Sequence, residues 1–352
     1  MSAQGINEES QDIALLPSQG LDGRHDAFNE AAAVMAGGVE ARLAQDDGMP
    51  QRLCGAKRSE TLPGSFWVLA FSGKDEGLRF LLSEIQTINR ATGANYRPTF
   101  KVLRAVEYGV PQQRERVFVV AQRDGTEFRF PQATHRDPEL EPDLFGASRP
   151  VFRTAWDAIG DVVPAAAEDL RIRGKWAELL PSIPEGQNYL WHTERGDGLA
   201  LFGWRRRFWC FLLKLAKNRP SWTIQAQPGP ATGPFHWDNR RLSMRELCRL
   251  QTFPDDVEVI GSYAAVHKQL GNAVPSLLAE VLGREIRRQL LAAKPLPGEP
   301  KLMPPLRLPV PRPTRPKRVP DSYRTLEGKH SAHPGTGLGF GALARLEVAA
   351  AS

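Results

Sequence analysis

The chain has 352 residues, 41% of them hydrophobic, enough to bury a core in one large domain or two ordinary ones. No apolar run approaches the ~20 residues of a membrane span, and the acidic, polar start MSAQGINEESQD does not read as a secretory leader. Three widely spaced cysteines, Cys54, Cys210 and Cys248, form no CxxC pair, which excludes a disulfide framework or cysteine-based metal site and fits a reducing cytoplasm. The net charge of +6 is concentrated: residues 293–330 hold nine Lys/Arg against three Asp/Glu, and 9 − 3 accounts for all of it.

Residues 1–65 are weakly patterned, apart from an alanine-rich stretch at 27–45 that suits one helix. Phe66–Phe71 reads as a strand. GLRFLLSEIQTINRATG (77–93) places Leu78, Leu81, Leu82, Ile85 and Ile88 on one helical face, with Gly93 near its stop. Lys101–Leu103 and Val117–Val120 read as strands, separated by a tight turn at Tyr108-Gly109-Val110-Pro111. Two arginines, Arg114 and Arg116, directly precede the second strand. Arginines at a strand mouth lose hydration unless something anionic or carbonyl-rich meets them. The blander alternative is a surface turn whose arginines are solvated or paired with Glu107 and Glu115.

Residues 131–235 are rich in Pro, Gly and Trp, with few periodic elements. Within them GWRRRFWCFLLKLAKNRPSW (203–222) carries six basic residues and no acidic one, interleaved with Trp204, Phe208, Trp209 and Trp222. One reading is a nucleic-acid surface in which Arg205, Arg206, Arg207, Lys214 and Lys217 neutralise phosphates. The other is an amphipathic helix with Phe208, Phe211, Leu212 and Leu215 turned inward. Further on, Ser243 and Glu246 form a capping box opening the helix MRELCRLQTF, which Pro254 ends, with Cys248 facing the core. Gly271-Asn272 reads as a turn. Pro275 sits in the first turn of a long helix burying Leu277, Leu278, Val281, Leu282 and Ile286. The proline-dense segment after residue 293 reads as an extended, disordered arm, either solvated or touching a polyanion.

Three stretches, YGVPQQRERVFVV, RRLSMRELCRLQTFPD and QLGNAVPSLLAEVLGREI, together resemble the eighth, ninth and tenth motifs of the DNA (cytosine-5)-methyltransferases, in order and roughly in spacing. The resemblance covers about residues 69–290 and puts 203–222 where the family keeps its target-recognition region. It implies a cytosine flipped out of double-stranded DNA, attacked at C6 by a cysteine thiolate while a glutamate supports protonation at N3, and methylated at C5 from S-adenosylmethionine. By its match to the QxRxR pattern, Arg116 would hold the flipped base, with Gln112 and Arg114 shaping the same wall. Asn272, Ala273 and Val274 would line the cofactor pocket. No metal is implied. The setting would be a cytoplasmic restriction-modification system.

The resemblance has gaps. The family's aromatic-Gly-x-Gly cofactor loop is absent, MAGGVE (35–40) being a poor substitute. Pro-Cys-Gln is missing too: the only upstream cysteine, Cys54, lies between Leu53 and Gly55. Where Glu-Asn-Val should fall, the chain reads Gly64-Ser65-Phe66. Without thiolate and carboxyl the covalent route loses its main contributions. Three readings are open: an incomplete methyltransferase, one subunit of a split enzyme completed by a chain bearing the missing motifs, or a catalytically inactive DNA-binding or regulatory protein. The expected fold is α/β. Residues 66–130 and 260–292 make part of a Rossmann-like S-adenosylmethionine-dependent methyltransferase domain. Residues 131–259 make a smaller irregular target-recognition domain with its connecting helix. Residues 1–65 form a divergent, poorly ordered segment and 293–352 a disordered basic tail.

Overall fold

A computed structural model describes residues 76–140, 149–203, 209–291 and 293–328. The stretch 27–45, the strand expected at Phe66–Phe71, Cys54 and Arg205–Arg207 lie outside the described residues. Among the described residues no helix is long and apolar enough to cross a membrane.

The described fold is mixed α/β around three apolar cores. Helix α1 (Glu76–Thr92) stops at Gly93, which takes φ +67°. Strands β1 (Thr99–Arg104) and β3 (Glu115–Val120) pair antiparallel, from Thr99 opposite Val120 to Arg104 opposite Glu115. A 3-10 turn at Ala105–Tyr108 leads the chain out of β1. Its closing residue, Gly109, has φ +88°, a conformation costly for a side chain. A Cβ there would also fall 2.4 Å from the Met303 sulfur. The two-residue strand β2 (Gln112–Gln113) pairs in parallel with β4 (Ser221–Trp222), tying the turn to a distant segment of the chain. Leu103, Tyr108, Val110 and Phe118 pack on the buried stripe of a long helix, Leu277, Leu278, Val281, Leu282 and Ile286. That stripe is the one its 3.6-residue spacing marks.

A second core joins helices α2 (Ala155–Ile159), α3 (Met244–Leu250) and α4 (Tyr263–Asn272). Helix α5 (Ser276–Gln289) comes next, with Pro275 at its N-cap. Reciprocal capping boxes start α2 (Thr154 with Asp157) and α3 (Ser243 with Glu246). Glu246 is wholly buried and also takes both arms of Arg240, at 2.7 and 2.6 Å. Glu246→Ala strands that guanidinium and one helix-start donor, the Ser243 amide. It should cost about 3–5 kcal/mol in urea unfolding; a loss under about 1 kcal/mol would contradict this arrangement.

Two expectations are corrected here. Gly271 and Asn272 are not a turn but the last two residues of α4. A side chain on Gly271 would sit 2.4 Å from the Ala226 Cα, so glycine serves a close approach of two backbones rather than a bend. The turn comes afterwards at Ala273–Pro275, because Val274, preceding a proline, is pushed out of the helical region. Helix α3 ends at Leu250, short of Pro254, where Thr252 adopts φ +58°.

The third core is aromatic: Tyr189, Phe202, Phe211 and Phe235 with Leu179, Leu180 and Leu212. Among its described residues the 203–222 stretch is not a helix. Phe211 and Lys214 instead form bridges to Thr232 and Phe235, and Leu212 takes φ +51°. Phe211, Leu212 and Leu215 are nevertheless buried.

Residues 293–328 also differ from the expected free arm. Their prolines keep most of them extended, with a single helical turn at Asp321–Arg324, yet they are fastened along the molecule. Glu280 on α5 accepts the Lys301 and Leu302 amides at 2.7 and 3.0 Å. Arg307 donates from its amide to Asp157 Oδ1 (2.7 Å), from Nε to the Asp157 carbonyl (2.9 Å) and pairs with Asp161 (2.8 Å). Tyr323 enters the aromatic core and stacks on Trp176, 5.8 Å between centroids. Asp157 thus serves both a helix cap and the tail. Asp157→Ala should lower stability by about 2–4 kcal/mol and open 300–320 to limited proteolysis. Unchanged cleavage would show that the tail is held elsewhere.

Candidate functional site

The three motif-bearing stretches meet in one buried polar knot. From β2, the Gln112 side chain donates to the Leu250 carbonyl at the end of α3 (3.2 Å) and accepts from the Ile224 amide (3.3 Å). Arg114 donates through Nη2 to the Gly271 carbonyl at the end of α4 (2.7 Å) and through Nη1 to the Ile224 carbonyl (3.5 Å). Gln251 donates to the Leu270 carbonyl (2.6 Å), its own carbonyl accepts from Ser276 N–H (3.0 Å), and Thr252 Oγ1 receives Leu277 N–H (2.8 Å). Gln112 and Gln251 are fully buried and Arg114 is 1% exposed. Desolvation, then the neighbouring Arg116 charge, pulls the Arg114 pKa down to about 9, so it remains a cation at neutral pH. The carbonyl-rich partner that the sequence demands of an arginine here is thus present.

The carboxylates nearest in sequence do not serve these arginines. Glu107 and Glu115 both turn to Arg104, at 3.0 and 3.5 Å. Arg116, two residues along the chain from Arg114, is half-buried. It donates once, to the Glu115 carbonyl (2.7 Å), and has no carboxylate partner among the described residues. Burial alone lowers its pKa. A guanidinium carries five donors, so most of this fork is uncommitted. Asn272 is exposed and its amide has no partner among the described residues. The Ala273 amide, by contrast, closes α4 by donating to the Gln269 carbonyl (2.9 Å), and Val274 packs against the α5 core.

Lys214 and Lys217 point inward. The Lys214 ammonium donates to the Ile183 carbonyl, and desolvation draws its pKa down to about 8. Lys217 pairs with buried Glu185. Trp209 is partly exposed and meets Trp222 of β4 edge-on, 5.6 Å between centroids. Sequence reasoning misses Gln251 and Thr252, which lock α5 to α3. Their signal is the pair of polar residues between the last periodic position of α3 and Pro254.

Burial also holds His135 and His267 neutral, their pKa values lowered to about 4, and His236 to about 3. Unfolded imidazoles protonate near 6.5. Stability is therefore complete above about pH 6.5 and falls as pH drops through the window down to about 3–4. The melting temperature should decline steadily from pH 6.5 to 4, and a flat profile would mean solvated imidazoles.

The profile of the family "C-5 cytosine-specific DNA methylase" matches residues 81–288, more than half of the chain. The chain belongs to this family. Among curated relatives of this methylase, type II methyltransferase M.SacI of Streptomyces achromogenes is 45% identical over 209 residues, 56% of this chain and 53% of that protein. Type II methyltransferase M.BbvI of Brevibacillus brevis is 35% identical over 181 residues, 50% of this chain and 45% of that protein. The methylase chain spans about half the length of the curated relatives it matches. Among solved structures, the S. pombe Dnmt2 methyltransferase aligns over 59% of this chain and 60% of its own at 13% identity, with a TM-score of 0.32.

Proposed function

We propose that this chain supplies the base-holding and DNA-reading half of a DNA (cytosine-5)-methyltransferase of a type II restriction-modification system. Methyl transfer runs from S-adenosylmethionine to C5 of a cytosine flipped out of double-stranded DNA. The observation that carries this reading is the contrast between two arginines. Arg114 is consumed by the carbonyls of Ile224 and Gly271, and that fixes the strand on which Arg116 sits. Arg116 keeps its charge half-buried and its donors spare, as the role of gripping a cytosine's carbonyl edge requires.

The cofactor is held in part by Asn272, whose amide, without a partner among the described residues, suits a methionine-type carboxylate; the Ala273 N–H, already donating to Gln269, adds nothing there. The bound cofactor supplies the electrophilic methyl group. The 352 residues contain neither Pro-Cys-Gln nor Glu-Asn-Val; in this reading a complementing polypeptide supplies the thiolate and the N3 acid. Transfer of labelled methyl groups to DNA tests this. The purified chain alone should be silent, and a chain bearing both motifs should restore transfer. Transfer by this chain alone would refute the split, and silence in every combination would refute the enzyme reading.

A further inference from the structure

We propose that residues 309–318 form a fixed cationic rail that grips the phosphate backbone of duplex DNA beside the recognition lobe; this rests on the functional reading above. The segment PVPRPTRPKR has prolines at 309, 311, 313 and 316, which hold φ near the polyproline value. Such a chain has three residues per turn and rises about 3.1 Å per residue. Residues three apart therefore share an edge. The amides of Thr314 and Lys317 are one such pair, and both face the lobe, donating to Glu185 Oε1 (3.0 Å) and to the Pro181 carbonyl (2.8 Å). Arg312, Arg315 and Arg318 share a different edge, spaced about 9 Å apart by that rise.

All three are exposed, as is Lys317. Arg312, Arg315 and Lys317 have no carboxylate partner among the described residues. Arg318 reaches only Asp321, at 3.8 Å, with side-chain exposures of 75% and 84%. An exposed pair at that distance adds little. Both ends of the rail are pinned, by Arg307 on Asp157 and Asp161 and by Val319 and Tyr323 in the aromatic core. Four cations within seven residues, unneutralised and already ordered, suit a partner that is a regular line of negative charge. Little chain entropy remains to be lost on contact. Of the five phosphate contacts the sequence suggests, Arg205–Arg207 lie outside the described residues, and the ammonium groups of Lys214 and Lys217 face inward. The rail offers the exposed charge they withhold.

The test is the salt dependence of duplex binding by the full chain, measured for R312Q/R315Q/R318Q against the parent. Losing three phosphate contacts should flatten the slope of log K against log salt by about 2–3. Affinity should weaken by at least about tenfold at 0.1 M salt, equally on unrelated duplexes, with an unchanged melting temperature. A control, R90Q/R97Q/K101Q, removes three exposed charges elsewhere and should leave the slope as it was. An unchanged slope in the rail variant, or an equal drop in the control, overturns the rail alone. Absence of duplex binding by the parent overturns the functional reading and the rail with it.

Discussion

Arg114→Met should lower the unfolding free energy by about 3–4 kcal/mol. Methionine fills most of the space but leaves the Gly271 and Ile224 carbonyls buried without donors. Hydrogen bonds to a charged group are worth about 1.5–3 kcal/mol each, and an orphaned buried acceptor adds its own desolvation cost. The Nη1 contact is long at 3.5 Å, so the sum belongs near the lower end of two full bonds. Arg114→Lys should recover only part of the loss, because one ammonium on a flexible stem cannot serve two carbonyls that a planar fork spans. Urea unfolding of the three proteins measures this. A methionine variant within about 1 kcal/mol of the parent would mean that other contacts hold the strand to the end of α4.

Arg116→Ala should do the opposite. It should leave stability within about 0.5 kcal/mol, as for substitutions outside packed or paired positions, because its one donation among the described residues is to the carbonyl of its own neighbour. In the complemented enzyme, kcat/KM for methyl transfer should fall about 10²–10³-fold, the size seen when one donor aimed at a developing charge is removed. Arg116→Lys should stay close to the alanine value, since lysine keeps the charge and loses the fixed directions. Activity within about threefold of the parent would remove Arg116 from the base pocket.

Local signals are legible where one short-range pattern settles the outcome. The α5 stripe, the Ser243–Glu246 box and the β1–β3 pair arise from periodicity and capping. The division of labour between Arg114 and Arg116 is not legible. It depends on which carbonyls arrive from residues 224 and 271, far along the chain. Gly271 misleads for the same reason: glycine signals a turn locally, whereas here a second backbone occupies the space of its missing side chain. The 203–222 stretch has enough apolar residues for a helix, but its backbone partners lie at 232–235 and pull it into bridges. The tail reads as free because proline forbids regular pairing. Proline does not forbid single amide anchors, and a handful of these suffice.

The contact of Gly271 with Ala226 sets a limit on hybrids. With 2.4 Å between the Ala226 Cα and the place a Cβ would take, the loop and the helix end must be inherited together. A chimera that imports a relative's segment with its seam between residues 226 and 271 would press mismatched chains together at this spot. Transplants that carry 221–272 as one cassette avoid the collision, which predicts where a foreign segment can be joined and where the join will fail.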